Sequence, residues 1–247
     1  MRNHAAMGRV AKTVFLLSWM VGLAFLIFST GISAEESLKP ARWESTIQEF
    51  EKQDKTNPPP RGAVLFVGSS SIRMWKLDQY FPGLAAINRG FGGSFVEDSL
   101  YYADRIVLPY APRVIVFYAG DNDIASGKSP RQVFDDYAAL VKKVLTALPQ
   151  TRIVYIAIKP SPARWSLVAK MRETNRMIQD YTRKDARLAF ADVDTPMIGP
   201  DGKPRPELFL DDGLHLNGEG YKLWTSLVKP LLEENPATRE KSAETEK

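Results

Sequence analysis

The sequence predicts an α/β fold in which helices cover both faces of a parallel β-sheet. Short apolar runs, of the kind found in strands buried on both faces, alternate along the chain with segments that repeat apolar residues at helical spacing. Glycine-rich or polar residues follow the apolar runs, which is typical of the rim where such sheets bind ligands. The length of 247 residues, 44% of them hydrophobic, suits one domain of this class with a sizeable core.

Five apolar runs are the predicted strands. The strongest is "VIVFY" at residues 114–118, and the others lie at 63–67, 84–87, 153–158 and 188–190. Because apolar residues in these runs are continuous rather than alternating with polar ones, we expect both faces of the sheet to be buried.

Four amphipathic segments are the predicted helices, at residues 41–55, 130–148, 165–182 and 218–232. The second has a strong start signal, because Ser129 can cap it, Pro130 suits its first turn and Gln132 can complete a capping box. The prolines at 58–60 end the first helix and make a stiff connector to the first strand.

The first 34 residues are set apart by their composition. Arg2, Arg9 and Lys12 precede an uncharged run, residues 13–34, which ends in the small residues Ser33 and Ala34. A basic start, an apolar middle and a small-residue end are typical of a secretory signal peptide. An uncleaved membrane anchor is the alternative, because the run can nearly cross a bilayer. We therefore expect a secreted or periplasmic domain, or a membrane-anchored one that lies outside the cytoplasm.

The expected organisation has four parts. They are the signal segment at 1–34, an N-terminal helix and proline-rich connector at 35–60, the main domain at 61–233, and a charged flexible tail at 234–247. Without the signal segment, which carries three basic residues and no acid, the net charge falls from +4 to +1. A nearly neutral domain gives no reason to expect nucleic-acid binding. The absence of cysteine excludes disulfides, thiolate catalysis and cysteine-bound zinc.

The segment "GSSS", which follows the first predicted strand, contains the candidate nucleophile Ser70. A serine on a sharp strand-to-helix turn is exposed, and the amides at the start of the helix face the oxyanion that forms when it reacts. By sequence alone, Ser69 or Ser71 could fill the same role. A simple capping role is the alternative for each of the three, and Ser69 in particular is placed to cap the following helix.

The candidate general base is His215, because the only other histidine, His4, lies in the signal segment. Asp212 precedes it by three residues, and a carboxylate there can fix the tautomer of the ring so that the other nitrogen accepts a proton. Asp211 is a rival for this orienting role. The alternative is a surface histidine in an acidic turn before a helix.

Two further rim segments carry candidate ligand-binding groups. Gly92 and Gly93 permit close approach of the backbone, so that an amide can point at a ligand. Asn122 can supply a side-chain amide donor. Asp121 and Asp123 could hold a divalent ion, although two carboxylates in one loop are more often turn formers.

The order of these blocks resembles the SGNH hydrolases, also called the GDSL esterase/lipase family. The chain has Gly-x-Ser, then Asn-x-Gly-x-Gly-Gly, then Gly-x-Asn-Asp and finally Asp-x-x-His, over about residues 63–232. The resemblance implies a flavodoxin-like, three-layer α/β/α fold with a five-stranded parallel sheet, and no cofactor or metal. Ser69 stands where the family usually has an aspartate, and "GSSSIRMW" is similar to the acetylhydrolase-like branch.

The same resemblance implies a role for each site residue. Ser70 is the nucleophile, His215 the base and Asp212 its partner, while the Ser70 amide, the Gly93 amide and the Asn122 side chain form the oxyanion hole. The expected function is an exported serine esterase that hydrolyses short-chain esters, acetyl esters above all, of small molecules or carbohydrates. The alternatives are an O-acyltransferase or deacetylase acting on cell-envelope polysaccharide, and a non-catalytic binding module with the same fold.

Overall fold

In the part of the chain that the computed structural model describes, residues 41–233, five parallel strands form one sheet. The strands are β1 (Val64–Gly68), β2 (Ala86–Gly90), β3 (Val114–Tyr118), β4 (Arg152–Ile156) and β5 (Leu188–Ala191). Their spatial order is β2-β1-β3-β4-β5, the flavodoxin-like order of doubly wound folds. The predicted fold class is thus confirmed. The predicted signal segment and charged tail lie outside the described residues.

Helices join the strands within residues 41–233. They are α1 (Glu44–Thr56), α2 (Ser70–Arg73), α3 (Leu77–Tyr80), α4 (Val96–Tyr101), α5 (Ala103–Ile106), α6 (Asp121–Ala125), α7 (Pro130–Ala147), α8 (Val168–Thr182) and α9 (Gly218–Glu233). Short 3-10 turns add Ala41–Trp43, Leu108–Tyr110, Pro162–Leu167, Thr195–Met197 and Pro206–Leu208. None of the described helices is both long and apolar enough to cross a membrane.

Two apolar layers lie on opposite faces of the sheet. Successive residues of β1 alternate between them, so that Leu65 packs with α1, α4, α5, α7 and α8, and Phe66 packs with α2, α3 and α9. Every residue of β1 and β3 is buried, as the continuous apolar runs predict. Burying a side chain of the size of Leu or Phe contributes about 1.5–3 kcal/mol to stability, so this central pair of strands anchors the rim loops.

The N-terminal helix α1 packs onto the first of these layers. Ile47 is completely buried, while Arg105 of α5 forms ion pairs with Glu44 and Glu51 on the outer side. The amphipathic pattern predicted at residues 41–55 therefore corresponds to a real packing face. The helix is preceded by a 3-10 turn whose Trp43 packs edge-on against Phe91, beside the second rim loop.

The capping signals predicted at the start of α7 are confirmed. Ser129 accepts a hydrogen bond from the Gln132 amide, and the Gln132 side chain accepts one from the Ser129 amide. Two boundaries differ from prediction. Strand β2 begins later than expected and continues through Asn88 and Arg89, and the predicted helix at 165–182 is split into a 3-10 turn and α8. Within the 3-10 turn, Arg164 lies outside the helical region at φ −122°.

Candidate active site

The candidate site begins where β1 turns sharply into α2. Gly68 has φ +138°, and a Cβ atom there would lie 1.8 Å from the Tyr118 carbonyl oxygen, so only glycine fits beside β3. The Ser69 amide donates to that same carbonyl at 2.9 Å, and the Phe91 amide donates to the Gly68 carbonyl. These bonds fix the start of α2 against both neighbouring strands.

The structure separates the three consecutive serines. The side chains of Ser69 and Ser71 are buried, and their hydroxyl oxygens have no hydrogen-bond partner among the described residues. Ser70 is half-buried at the first position of α2, and its Oγ lies 3.1 Å from Nε2 of His215, a residue 145 positions later. Of the three, Ser70 is thus the one whose hydroxyl contacts a possible base.

His215 is held by a tight turn that follows the Pro206–Leu208 segment. Phe209 and Leu216 form an antiparallel bridge, and the Leu210 amide donates to the His215 carbonyl at 2.8 Å. Inside the turn the Gly213 amide donates to the Leu210 carbonyl, and Gly213 has φ +60°, which favours glycine. These hydrogen bonds within the turn place the ring of His215.

Asp212 orients the ring of His215 within this turn. Its Oδ2 lies 2.6 Å from Nδ1, and its Oδ1 accepts hydrogen bonds from the amides of Leu214 and His215, each at 2.9 Å. The hydrogen bond from the His215 side chain, followed by those from the two amides, lowers the pKa of Asp212 to about 2. Asp211 is exposed and makes no hydrogen bond to His215, so the structure favours Asp212 over its rival.

The ionised carboxylate determines which ring nitrogen of His215 can accept a proton. A carboxylate of Asp212 only accepts hydrogen bonds, so Nδ1 must carry the proton in the contact between them. Nε2 is then an acceptor directed at the Ser70 hydroxyl. The distance lies in the range expected for a nucleophile and its base.

The other two predicted donors meet on neighbouring loops. Gly93 lies after β2 with φ +79°, and the Asn122 Nδ2 donates to the carbonyl oxygen of the next residue, Ser94, at 3.1 Å. The Asn122 Oδ1 accepts a hydrogen bond from Arg164 Nη2 at 2.9 Å. Because β2, β1 and β3 are adjacent and in register at Gly68, these loops lie on the same edge of the sheet as Ser70.

Known proteins share this arrangement of strands and loops. The GDSL-like Lipase/Acylhydrolase family model matches residues 68–223, which is more than half of the chain. The chain belongs to this family. It is therefore a carboxylic ester hydrolase of the GDSL type, as the order of its motifs predicts. No curated protein matches the sequence.

Several solved structures of other proteins have a similar fold. A GDSL-like lipase from Bacteroides thetaiotaomicron VPI-5482 has TM-score 0.68 and 21% identity, covering 76% of this chain and 98% of that chain. A carbohydrate esterase family 3 protein from Talaromyces cellulolyticus has TM-score 0.54 and 17% identity, covering 68% and 95%. A mutant of an acetyl esterase, solved with acetate ion, has TM-score 0.55 and 16% identity, covering 68% and 95%.

This GDSL-type hydrolase departs from the capping role expected for Ser69. Ser69 occupies the cap position of α2, but its side chain makes no capping hydrogen bond. Its backbone carbonyl instead accepts from the amides of Ile72 and Arg73 at 3.0 and 3.1 Å, while its side chain is fully buried. The expectation of a side-chain cap is therefore wrong. The Ser69 hydroxyl is instead buried with no hydrogen-bond partner among the described residues.

The alternative of a metal site at Asp121 and Asp123 finds no support in the contacts of this acylhydrolase. Asp121 is ion-paired with Lys159 at 3.0 Å and Arg164 at 3.1 Å, and Asp123 accepts a hydrogen bond from the Val96 amide. Among residues 41–233 no group of three or more metal-binding side chains comes together. Both carboxylates serve the structure of the rim loops.

Two basic residues near the site were not singled out from the sequence. Lys159 follows β4, is 1% exposed and donates to both Asp121 and the Tyr118 hydroxyl at 3.0 Å. Arg164 follows in the next 3-10 turn and contacts Asp121 and Asn122. Burial raises the pKa of Asp121, but the charges of Lys159 and Arg164 outweigh burial and keep this pKa below its ordinary value. A lysine that follows a buried strand indicates that an acidic partner exists, but the partner here, Asp121, lies 38 positions earlier in the sequence.

Proposed function

We propose that this acylhydrolase cleaves short-chain acyl esters, and acetyl esters above all, through Ser70, His215 and Asp212. The observation that carries the proposal is the chain of two contacts from Asp212 Oδ2 to His215 Nδ1 and from His215 Nε2 to Ser70 Oγ. It supplies a hydroxyl, a base within proton-transfer distance and an anion that orients the base.

In the first half of the reaction, Ser70 Oγ forms a bond to the ester carbonyl carbon while His215 Nε2 takes its proton. The carbonyl electron pair moves onto oxygen, and the oxyanion accepts hydrogen bonds from the Ser70 amide, the Gly93 amide and the Asn122 side chain. The bond to the alcohol oxygen then breaks, and that oxygen takes the proton from Nε2. The product is an alcohol and an acyl group bound to Ser70.

In the second half, water attacks the acyl carbon and gives a proton to His215 Nε2. A second oxyanion forms among the same donors, and its collapse breaks the bond to Ser70 Oγ, which takes the proton back. Asp212 stays ionised throughout, because its pKa of about 2 lies far below neutral pH. Its charge stabilises the imidazolium that exists during each transfer.

Two observations support a short acyl group. Pro162 and Ala163 pack against Gly213 of the His215 turn, where the Ala163 amide donates to the Gly213 carbonyl at 3.0 Å, so backbone of the turn after β4 limits the space beside the His215 turn. Among solved structures with this fold is the acetyl esterase mutant with acetate ion. The leader-like residues 1–34 support export, and we propose a location outside the cytoplasm.

A second candidate is the removal or transfer of acetyl groups on a cell-envelope polysaccharide. It is favoured by the fold shared with a carbohydrate esterase family 3 protein. The chemistry at Ser70 is the same, and only the alcohol or the acceptor of the acyl group differs. A sugar hydroxyl in place of water in the second half of the reaction would make the protein a transferase.

A substrate panel tests the proposal. Purified protein without residues 1–34 is assayed with p-nitrophenyl esters of increasing acyl length and with acetylated oligosaccharides, and products are identified with and without sugar acceptors. We expect the highest kcat/KM for acetyl esters. Preference for long acyl chains over acetyl would contradict the short-chain assignment.

Labelling with a fluorophosphonate probe tests the nucleophile directly. Ser70→Ala is expected to abolish labelling and to lower kcat by about 10⁴–10⁶-fold, as in other serine triads. Ser71→Ala is the matched control, because the Ser71 side chain is buried and its hydroxyl has no partner among the described residues. Retention of labelling in Ser70→Ala would overturn the proposed mechanism.

A further inference from the structure

Arg164 connects the turn after β4 to the start of α6. It lies in the 3-10 turn Pro162–Leu167 after β4, and its Nη2 donates to Asn122 Oδ1 at 2.9 Å. Its Nη1 lies 3.1 Å from Asp121 Oδ2, and its side chain is 18% exposed. The guanidinium is thus hydrogen-bonded to Asn122 and ion-paired with Asp121, two successive residues at the start of α6, while Nη1 makes no hydrogen bond among the described residues.

These contacts determine the orientation of the Asn122 amide. A guanidinium has no acceptor, so the atom facing Arg164 must be the oxygen of the amide. The atom facing the Ser94 carbonyl must be the nitrogen, because a carbonyl has no donor. An NH₂ group carries two hydrogens, and the contact with Ser94 uses one of them. The second is available for a ligand at the rim.

The side chains that surround the Arg164 guanidinium, Asp121 and Lys159, are buried. Asp121 Oδ2 also contacts Lys159 Nζ at 3.0 Å, and Lys159 donates to the Tyr118 hydroxyl. Asp121 Oδ1 accepts a hydrogen bond from the backbone N–H of Asn122. Two positive charges thus share one carboxylate beside the Asn122 side chain. In a partly desolvated site, an excess positive charge stabilises an adjacent oxyanion more than it would in water.

We propose that Arg164 is a positioning residue for the hydrolysis reaction, which holds the Asn122 amide so that its free N–H points at the oxyanion. The inference rests on the proposed function of Ser70 and Asn122. It adds a residue that touches no reacting atom and acts through Asn122.

Arginine and lysine differ at this position. Arginine can reach Asp121 and Asn122 together because its donors form a planar fork, whereas an ammonium is a single point of charge. Arg164→Lys keeps the charge but loses the fork, so the side-chain amide of Asn122 loses one of its two contacts and is held only by the Ser94 carbonyl. We expect kcat to fall by about 10- to 100-fold, with KM changed less than about 3-fold, because the interaction matters in the transition state.

A double-mutant cycle with Asn122 separates positioning from a general structural role. Asn122→Ala alone is expected to lower kcat by about 10²–10³-fold, the usual effect of losing one oxyanion donor. If Arg164 acts through Asn122, adding Arg164→Lys to Asn122→Ala lowers kcat by less than about 2-fold further. A full additional loss in the double variant would overturn the proposal, as would an unchanged kcat in Arg164→Lys.

Two further variants keep the test conclusive. Arg187→Lys is the matched control, because Arg187 forms a two-point contact with Asp185 just before β5 begins, at the opposite end of the strands from the rim, and its kcat should be unchanged. Arg164→Ala with added methylguanidinium should regain activity that methylammonium does not restore, and failure of this rescue in folded protein counts against the proposal. Activity retained in Ser70→Ala would instead overturn the proposed function, and the role of Arg164 would fall with it.

Discussion

The hydroxyl of Tyr221 donates a hydrogen bond to the carbonyl oxygen of Ser71 at 2.9 Å, across 150 positions of sequence. Tyr221 lies in the last helix, α9, and Ser71 directly follows the candidate nucleophile in α2. Burial raises the pKa of Tyr221, so its hydroxyl remains a proton donor at all physiological pH values. The bond thus ties the helix that carries Ser70 to the helix that follows the His215 turn.

Removing this hydroxyl tests the link. Tyr221→Phe leaves the buried Ser71 carbonyl without this donor, so we expect a loss of about 1–3 kcal/mol in the free energy of unfolding, measured with urea. A shift of α2 should also lower kcat by less than about 10-fold. Tyr80→Phe is the control, because its hydroxyl bonds to Gly218 at the exposed end of α9. Equal effects of the two variants on kcat would contradict the link.

The orientation of His215 by Asp212 predicts a large difference between adjacent aspartates. Asp212→Asn is expected to lower kcat by about 10²–10⁴-fold, because an amide no longer enforces the tautomer with a proton on Nδ1. Asp211→Asn should change kcat by less than about 2-fold, since Asp211 is exposed and does not contact the ring. Both rates are measured with an acetyl ester at the same pH. A reversed order would exchange the roles of the two residues.

Gly90 and Gly92 are expected to differ in how well they tolerate replacement by alanine. A Cβ at Gly90 would lie 2.3 Å from the Arg73 backbone nitrogen, and one at Gly92 would lie 2.9 Å from the Arg73 side chain. Gly90→Ala must displace the end of α2, so we expect a loss of about 1–3 kcal/mol or more in stability, together with lower kcat. Gly92→Ala should cost less than about 0.5 kcal/mol, since a flexible side chain can move away. Thermal unfolding distinguishes the two.

The buried carboxyl of Asp123 predicts how stability depends on pH. Burial raises its pKa from 3.8 to about 7, although Lys128 lies 3.8 Å from Oδ1 and lowers the pKa in part. Oδ1 accepts from the Val96 amide, while Oδ2 has no partner among the described residues. Between about pH 4 and pH 7 the folded state keeps a proton that the unfolded state releases. This contribution to stability is therefore present at low pH and lost as the pH rises through this range.

Asp123→Asn isolates that effect. In the parent chain we expect the free energy of unfolding to fall by at most about 3 kcal/mol between about pH 5 and about pH 8, and in Asp123→Asn we expect this fall to be absent. Asp136→Asn is the control, because Asp136 also contacts Lys128 at 2.9 Å but is partly exposed. An identical pH dependence in parent and Asp123→Asn would mean that Asp123 is ionised in the folded protein throughout this range.

The sequence alone predicted the sheet well, because the strands are apolar runs that need no knowledge of distant partners. The exception is β2, where the strand continues into Asn88 and Arg89. Asn88 donates to the Ile72 and Trp75 carbonyls, and buried Arg89 pairs with Asp54. Polar residues can occupy a buried strand only when such partners exist, and nothing local in the sequence indicates them.

The same reason explains which site residues could be found in advance. Asp212 and His215 interact within one turn, and the motif order places Ser70 near them, so short-range patterns and a family resemblance were sufficient. Arg164 meets Asn122 only because β3 and β4 are adjacent and the turn after β4 folds back. The roles of the predicted catalytic residues themselves remain predictions until the variants above are assayed.

The closed turn that carries Asp212 and His215 has a consequence for protein engineering. The bridge between Phe209 and Leu216 and the hydrogen bonds within the turn hold Asp212 and His215 together in one short segment. The turn is also supported from outside, because the Ala163 amide donates a hydrogen bond to the Gly213 carbonyl at 3.0 Å. Grafting residues 209–216 onto another doubly wound scaffold would therefore carry Asp212 and His215 together, but the new scaffold would have to supply a donor in place of Ala163.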